Sequence, residues 1–125
     1  MTFKVAPDVR ALIVGESEIE VMDLGDYLMS LGWAAPDTAM SSKAAAELLN
    51  TAKTPYALAI VGLSQAVPGT MQLLRDCVAF GTSIIALNGV ASSSIKARIV
   101  TVARPYHDVH LNAALMELNL WDYGD

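Results

Sequence analysis

Acidic side chains crowd into one short stretch near the start of the chain. The stretch contains Glu16, Glu18, Glu20, Asp23 and Asp26. Carboxylate oxygens are the ligands that hard cations such as Mg²⁺ prefer, so the cluster is a candidate cation site. A helix offers a simpler explanation, because acids are favoured in a helix's first turn and on its solvated face. We therefore interpret these residues as a solvated helix face and predict no metal there.

Two imidazoles form a second candidate site. His107 and His110 lie on one face of a predicted helix, at a spacing that allows both rings to contact one metal ion. No further ligand cluster lies nearby in the sequence. We interpret the pair as surface histidines.

Motifs of the common catalytic and nucleotide sites are absent. The single cysteine, Cys77, falls near the apolar face of a predicted helix and is expected to pack as a small hydrophobe. The chain contains neither Gly-x-Ser-x-Gly nor a glycine-rich nucleotide loop, and Gly15, Gly62 and Gly89 stand singly after predicted strands. We expect no enzymatic activity and no cofactor.

Short apolar runs alternate along the chain with stretches of helical period. The runs predict strands over 10–14, 33–39, 57–61, 83–87 and 99–103. The run 57–61 is uniformly apolar, as a central strand buried on both faces requires, whereas Pro36 favours an edge position for the second strand. Helices are predicted over about 21–31, 43–52, 70–80 and 107–118, with a short one starting at the serines 92–94.

This alternation indicates the α/β class, with a doubly wound (βα)5 arrangement in three layers. In such sheets ligands bind at the carboxyl ends of the strands. The residues that follow the predicted strands are therefore the candidate site, and they are Gly15, Glu16, Gly62, Asn88, Gly89, Arg104 and Pro105.

Composition limits the remaining possibilities. The chain has 125 residues, of which 54% are hydrophobic and 17% charged, with a net charge of −5. These values favour one folded domain, which we place at residues 10–118 between an N-terminal extension (1–9) and a C-terminal tail (119–125). The acidic balance disfavours nucleic-acid binding, and no apolar run is long enough to span a membrane. One cysteine fits a reducing compartment, and we expect a cytoplasmic protein.

The element order and two local motifs resemble the receiver domains of two-component response regulators. The family often has Lys-Pro and an aromatic after the fifth strand, and this chain has Arg104-Pro105-Tyr106. After the first strand, where the family carries an acidic pair, stand Gly15 and Glu16. The resemblance implies a parallel five-stranded sheet of order 2-1-3-4-5.

Several functional positions of the family are altered. Gly62 stands where the resemblance places the phosphoacceptor aspartate. Asn88 and Gly89 replace a hydroxyl residue and its small neighbour, and Thr101 replaces a frequent aromatic switch. Phosphoryl transfer to aspartate needs a carboxylate nucleophile and a bound Mg²⁺. We therefore expect a degenerate receiver, with no metal and with Glu16 paired to Arg104.

The resemblance implies action through protein contacts rather than chemistry. Expected partners are a histidine kinase, an output domain, another regulator or a second copy of the chain, with no direct contact to nucleic acid or membrane. Ile95, Tyr106 and His110 mark the expected contact face. Two alternatives stay open: a flavodoxin-like module that binds a small anion or ligand at Arg104, and a phosphorelay receiver with a displaced acceptor such as Ser64.

Overall fold

Nine regular elements make up the part of the chain that the computed structural model describes, residues 10–64, 66–87 and 99–120. The strands are β1 (Ala11–Val14), β2 (Asp37–Ala39), β3 (Leu58–Val61), β4 (Ser83–Ala86) and β5 (Ile99–Thr101). The helices are α1 (Glu18–Ser30), α2 (Ser42–Thr51), α3 (Thr70–Ala79) and α4 (Asp108–Glu117). The predicted short helix after the serines 92–94 lies outside the described residues.

The five strands form one parallel sheet in the order β2-β1-β3-β4-β5, which confirms the predicted fold class. Every residue of β1, β3 and β4 is buried, as strands covered on both faces must be. The edge strands β2 and β5 are more exposed. The apolar run 57–61 thus lies at the centre of the sheet, as predicted.

Helices cover both faces of the sheet, because successive side chains of each strand point to opposite sides. On one face Ile13 packs with residues of α1 and α4. On the other, Leu12 packs with residues of α2 and α3, including Cys77. The prediction that Cys77 packs in the core is confirmed, and burial raises the pKa of its thiol to about 12.

Helix α1 follows the predicted apolar stripe. Val21, Leu24 and Leu28 are buried, and the side chain of Ser17 caps the helix start by accepting a hydrogen bond from the backbone N–H of Glu20 at 3.3 Å. A capping serine fixes where the first turn begins. It therefore fixes which of the acidic residues faces the end of the sheet.

The second predicted strand begins later than expected. Only Asp37–Ala39 pairs with β1, so the strand starts directly after Pro36. Trp33 is 3% exposed and packs with the α1 and α4 side of the core. Burial of the indole between helix and sheet replaces strand pairing at this position. The edge position predicted for this strand is confirmed.

Within the described ranges, no helix combines the length and apolar character needed to cross a bilayer.

Candidate functional site

The carboxyl ends of the strands meet at one edge of the sheet. The backbone N–H of Gly62 donates to the carbonyl of Val14 at 2.7 Å, and that of Gly15 donates to the carbonyl of Ala39 at 3.1 Å. The strand-end residues Gly15 and Gly62 are therefore held at the ends of adjacent strands, as the topology predicts. Asn88 and Gly89 fall outside the described residues.

Arg104 reaches across this edge from the segment after β5. Its Nε donates to Oε2 of Glu20 at 2.8 Å, and its Nη2 donates to Oε1 of the same carboxylate at 2.6 Å. The Nη2 group also approaches the carbonyl oxygen of Gly62 at 3.3 Å. The two parallel bonds form a bidentate pair, the strong geometry for a guanidinium and a carboxylate. The peptide bond between Arg104 and Pro105 is cis.

Tyr106 completes the contacts of the Glu20 carboxylate. Its hydroxyl donates to Oε2 of Glu20 at 3.0 Å. Glu20 lies in the first turn of α1, and it accepts hydrogen bonds from two side chains that follow β5. The cluster formed by Glu20, Arg104 and Tyr106, which we call the strand-end ion pair, ties α1 to the opposite edge of the site.

The charges at this cluster stabilise one another. Hydrogen bonds from Arg104 lower the pKa of Glu20 against the opposing effect of burial, and the bond from Tyr106 adds to the lowering. The hydrogen bond to Glu20 in turn raises the pKa of Arg104. Burial, followed by the nearby carboxylate, raises the pKa of Tyr106. At neutral pH the cluster is an ionised pair with a protonated phenol.

The predicted contact between Glu16 and Arg104 is wrong, because Arg104 pairs with Glu20. Glu16 precedes the capping residue Ser17 and is exposed. Glu20 lies one helical turn before the buried Leu24, so its side chain projects from the edge of the apolar stripe toward the sheet. That position also corrects the interpretation of Glu20 as part of a solvated face, since its side chain is 19% exposed.

Sequence reasoning overlooked this signal. The prediction chose Glu16, the acid closest to β1 in the sequence. The helical period of α1 instead places Glu20 closer to the strand ends. The signal in the sequence was that Glu20 lies one helical turn before Leu24, at the edge of the apolar stripe.

Gly62 lies directly beneath the strand-end ion pair. A Cβ atom added there would lie 2.9 Å from Nη2 of Arg104, 3.3 Å from Oε1 of Glu20 and 3.4 Å from the carbonyl oxygen of Val14. The first of these distances is shorter than an ordinary contact. The guanidinium therefore takes up the space that a side chain at position 62 would need.

The remaining predicted residues surround this centre at different distances. Glu16, Ser17 and Ser64 line an open depression together with Gly62, Glu20 and Arg104. The Ser64 hydroxyl accepts a hydrogen bond from the backbone N–H of Ala66 at 3.1 Å. Thr101 is exposed at the end of β5. The structure thus brings Gly62 and Arg104 together, and it leaves Glu16 and Thr101 at the periphery.

The two histidines lie at the start of α4. Nδ1 of His110 accepts from the backbone N–H of His107 at 2.9 Å, and His107 is the N-cap residue. Their rings lie 5.9 Å apart between centroids. In residues 10–64, 66–87 and 99–120, no group of three or more His, Cys, Asp or Glu side chains is arranged to hold a metal ion. Ile95, the third residue of the predicted contact face with Tyr106 and His110, lies outside the described residues.

A second polar cluster, which the sequence did not reveal, lies at the opposite end of the sheet. Asp37 accepts hydrogen bonds from Arg10 and from the hydroxyl of Tyr56, the latter at 2.6 Å. The Arg10 guanidinium also lies 5.0 Å from the centre of the Tyr56 ring. Burial raises the pKa of Tyr56 to about 12. Because Asp37 begins β2 while Arg10 and Tyr56 closely precede β1 and β3, the cluster anchors the amino ends of these strands.

Comparisons with known proteins identify the fold. No family model and no curated protein sequence matches the chain. A response regulator receiver protein from Sinorhizobium medicae is 17% identical, with a TM-score of 0.73 over 88% of this chain and 93% of that one. The receiver domain of the response regulator PhyR from Erythrobacter litoralis is 16% identical, with a TM-score of 0.74 over 94% of both chains.

A further match comes from a complex of two signalling proteins. The co-crystal structure contains the Saccharomyces cerevisiae histidine phosphotransfer signalling protein and the receiver domain of its downstream response regulator. The matched chain of that structure is 17% identical to this chain, with a TM-score of 0.68 over 98% of each. At these identities the comparisons establish that the chain has the fold of receiver domains.

Proposed function

We propose that this chain is a degenerate receiver domain that accepts no phosphoryl group at the end of β3 and acts through contacts with other proteins. The observation that carries the proposal is the strand-end ion pair above Gly62. It lies where three parallel strands end, and it holds a guanidinium in the space of the missing side chain.

Among the described residues, the site lacks the groups that phosphoryl transfer to aspartate requires. A carboxylate nucleophile is absent at Gly62, and the carboxylate of Glu20 is already bound by Arg104 and Tyr106. Mg²⁺ needs several oxygen ligands in a near-octahedral arrangement to compensate for lost hydration. The exposed Glu16 is the acid left at this edge of the described structure, and one carboxylate is a poor site for this ion.

The charge at the site is balanced by the protein itself. Glu20 and Arg104 carry opposite charges and satisfy each other through two hydrogen bonds. Because Glu20 already neutralises the guanidinium, an anion-binding module is the weaker alternative. We therefore propose a non-enzymatic role in which the partner is a histidine kinase, an output domain, another regulator or a second copy.

Intact-mass measurement after incubation with a small phosphodonor and Mg²⁺ tests this proposal. We expect no adduct on the wild-type chain, with an unaltered receiver domain as the positive control. A stoichiometric phosphoryl adduct would refute it. In that event the Ser64→Ala variant identifies the acceptor: loss of the adduct would establish the displaced-acceptor alternative.

A further inference from the structure

A pocket of about 200 Å³ lies between the last turns of α2 and α3. Its apolar lining consists of Leu49, Ala52, Pro55, Tyr56 and Phe80. Leu49 and Tyr56 are buried, so they form the floor, whereas Pro55 and Phe80 are exposed at the rim. A dry cavity of roughly 150 Å³ holds a benzene ring, so this pocket has room for one aromatic side chain.

Phe80 projects from the rim of the pocket. It is the C-cap residue of α3, and its backbone N–H donates to the carbonyl of Asp76 at 3.0 Å. The next residue, Gly81, has a φ of 79°, the left-handed conformation in which many helices end. The backbone therefore fixes Phe80 in place, yet the described part of the chain leaves 45% of this residue exposed.

The pocket and the projecting ring belong to one surface patch. Phe80 lines the pocket and also extends from its rim. A patch with a recess and a projecting group side by side can pair with a copy of itself, because a twofold interface places the same patch of both copies face to face. Each Phe80 ring can then enter the pocket of the other copy and contact Leu49 and the Tyr56 ring.

The charges of α2 and α3 permit such self-association. Each of these helices contains one acid and one base, which are Lys43 and Glu47 in α2 and Arg75 and Asp76 in α3. Helices α1 and α4, on the other face of the sheet, contain several acids and no lysine or arginine. A twofold contact through α1 and α4 would oppose like charges, whereas one through α2 and α3 can pair opposite ones.

Lys53 and Asp76 are suited to form that pair. Lys53 lines the pocket, and within the described residues it forms no ion pair. Asp76 lies one helical turn before Phe80, on the same side of α3. Its Oδ1 accepts from Nε2 of Gln72 at 2.8 Å, and no described cation pairs with it. A Phe80 ring that enters the pocket of a second copy brings its own Asp76 toward the Lys53 of that copy.

We infer that the α2–α3 pocket is the contact surface of a symmetric dimer. Phe80 of each copy fills the pocket of the other copy, and Asp76 of each copy pairs with Lys53 of the other. The inference rests on the proposed function in one respect only, that the chain acts through protein contacts, and it selects a second copy among the proposed partners. This surface differs from the contact face expected from the sequence, to which Tyr106 and His110 belong.

The dimer is expected to be weak. Each copy contributes one aromatic ring and one ion pair that stays partly exposed, and interfaces at the small end of the size range are transient. We therefore expect a dissociation constant in the micromolar range, so that monomer and dimer exchange as the concentration changes.

Sedimentation velocity of the whole chain tests the inference. Between about 1 μM and about 1 mM the sedimentation coefficient should rise from the monomer value toward the dimer value. Over the same range the backbone amide NMR signals of Ala52, Lys53 and Phe80 should shift, whereas those of Val109 and His110 should not. A coefficient that does not change with concentration would overturn the inference. Shifts confined to β5 and α4 would also overturn it, because they would place the contact on the other face.

A matched pair of apolar variants tests the role of the ring. Phe80→Ser should raise the dissociation constant by about 100-fold, roughly tenfold for each ring, because both copies lose one. Val109→Ser removes a side chain of α4 that is 65% exposed, and it should change the constant by less than about twofold. Equal dissociation constants for the two variants would contradict the assignment of Phe80.

A charge exchange tests the ion pair without relying on a loss of binding. Lys53→Glu places like charges opposite each other in both pairs and should weaken the dimer by about tenfold. Lys53→Glu combined with Asp76→Lys reverses both signs and should return the dissociation constant to within about threefold of the wild-type value. A double variant that dimerises no better than Lys53→Glu alone would refute the pairing.

The outcome is independent of the test of the proposed function. The intact-mass measurement detects a phosphoryl adduct on a monomer and on a dimer alike. A monomeric chain would remove the second copy from the proposed partners without supplying a phosphoacceptor. A phosphoryl adduct would refute the degenerate receiver without changing the oligomeric state measured for the unmodified chain.

Discussion

Removal of the Glu20 charge is the most direct perturbation of the strand-end ion pair. In Glu20→Gln the amide keeps the size of the side chain but leaves the Arg104 guanidinium without its counter-charge beside the Gly62 carbonyl. At a charge separation of roughly 4 Å and an effective dielectric of about 20, the attraction that is lost is about 4 kcal/mol.

The measured decrease in the free energy of unfolding should be smaller than this attraction. The Arg104 side chain is 36% exposed, so water screens the pair and takes over part of its solvation in the variant. The bidentate geometry and the partial burial of Glu20 keep the cost above that of a surface pair. We expect Glu20→Gln to lower the free energy of unfolding by about 1–2 kcal/mol at neutral pH.

Urea unfolding monitored by circular dichroism measures this cost, and Glu16→Gln is the matched control. Glu16 carries the same charge near the same strand but is exposed, so its loss should cost less than about 0.5 kcal/mol. A double-mutant cycle with Arg104→Gln isolates the interaction energy. Equal costs for Glu16→Gln and Glu20→Gln would refute the assignment of the partner.

The pH dependence gives a second measure of the same pair. The folded-state pKa of Glu20 is lowered, so the pair's contribution to stability is complete above the pKa of an unfolded-state glutamate. The contribution is lost as the pH falls through the lower folded-state value. The difference in stability between wild type and Glu20→Gln should therefore shrink in acid. A difference that stays constant down to pH values below the ordinary carboxyl range would contradict the argument.

Three further predictions follow, two from the contacts of Glu20 and one from the burial of Cys77. Gly62→Ala should cost about 1 kcal/mol, because its Cβ must push the Arg104 tip aside, and the penalty of Glu20→Gln should fall in that background. Tyr106→Phe removes one donor from Glu20 and should cost about 0.5–1.5 kcal/mol in urea unfolding, with a rise in the Glu20 pKa by NMR titration. The Cys77 thiol should resist a disulfide reagent at pH 8 in the folded protein and react after unfolding; modification without unfolding would contradict its burial.

The sheet could be predicted from sequence because its signal is local. Uniformly apolar runs such as 57–61 specify strands buried on both faces, and helical stripes between them specify the layers. Trp33 shows the limit of this reasoning. Its strand propensity is overridden by burial of the indole against the core, a tertiary effect that no local window contains.

The candidate site was predictable only as a location. The rule that ligands bind at the ends of strands selected Gly62 and Arg104. In the structure Nη2 of Arg104 lies 3.3 Å from the carbonyl oxygen of Gly62. The partner of Arg104 depended on the helical phase of α1, which the Ser17 cap sets and which favours Glu20 over Glu16. The cluster of Arg10, Asp37 and Tyr56 was missed because its members lie far apart in sequence and none belongs to a motif.

The glycine at position 62 and the arginine at position 104 are physically linked, because the guanidinium lies against the Gly62 backbone. A planar guanidinium can bind both oxygens of Glu20 and still contact the Gly62 carbonyl, which a lysine ammonium cannot do with the same fork. At that placement Nη2 would lie 2.9 Å from a Cβ atom at position 62, so a side chain there would have to shift the guanidinium. With an aspartate at position 62, a second carboxylate would compete with Glu20 for one guanidinium, and the excess negative charge would need a cation. The glycine and the ion pair thus form a single arrangement in which Glu20 and Arg104 balance each other's charge.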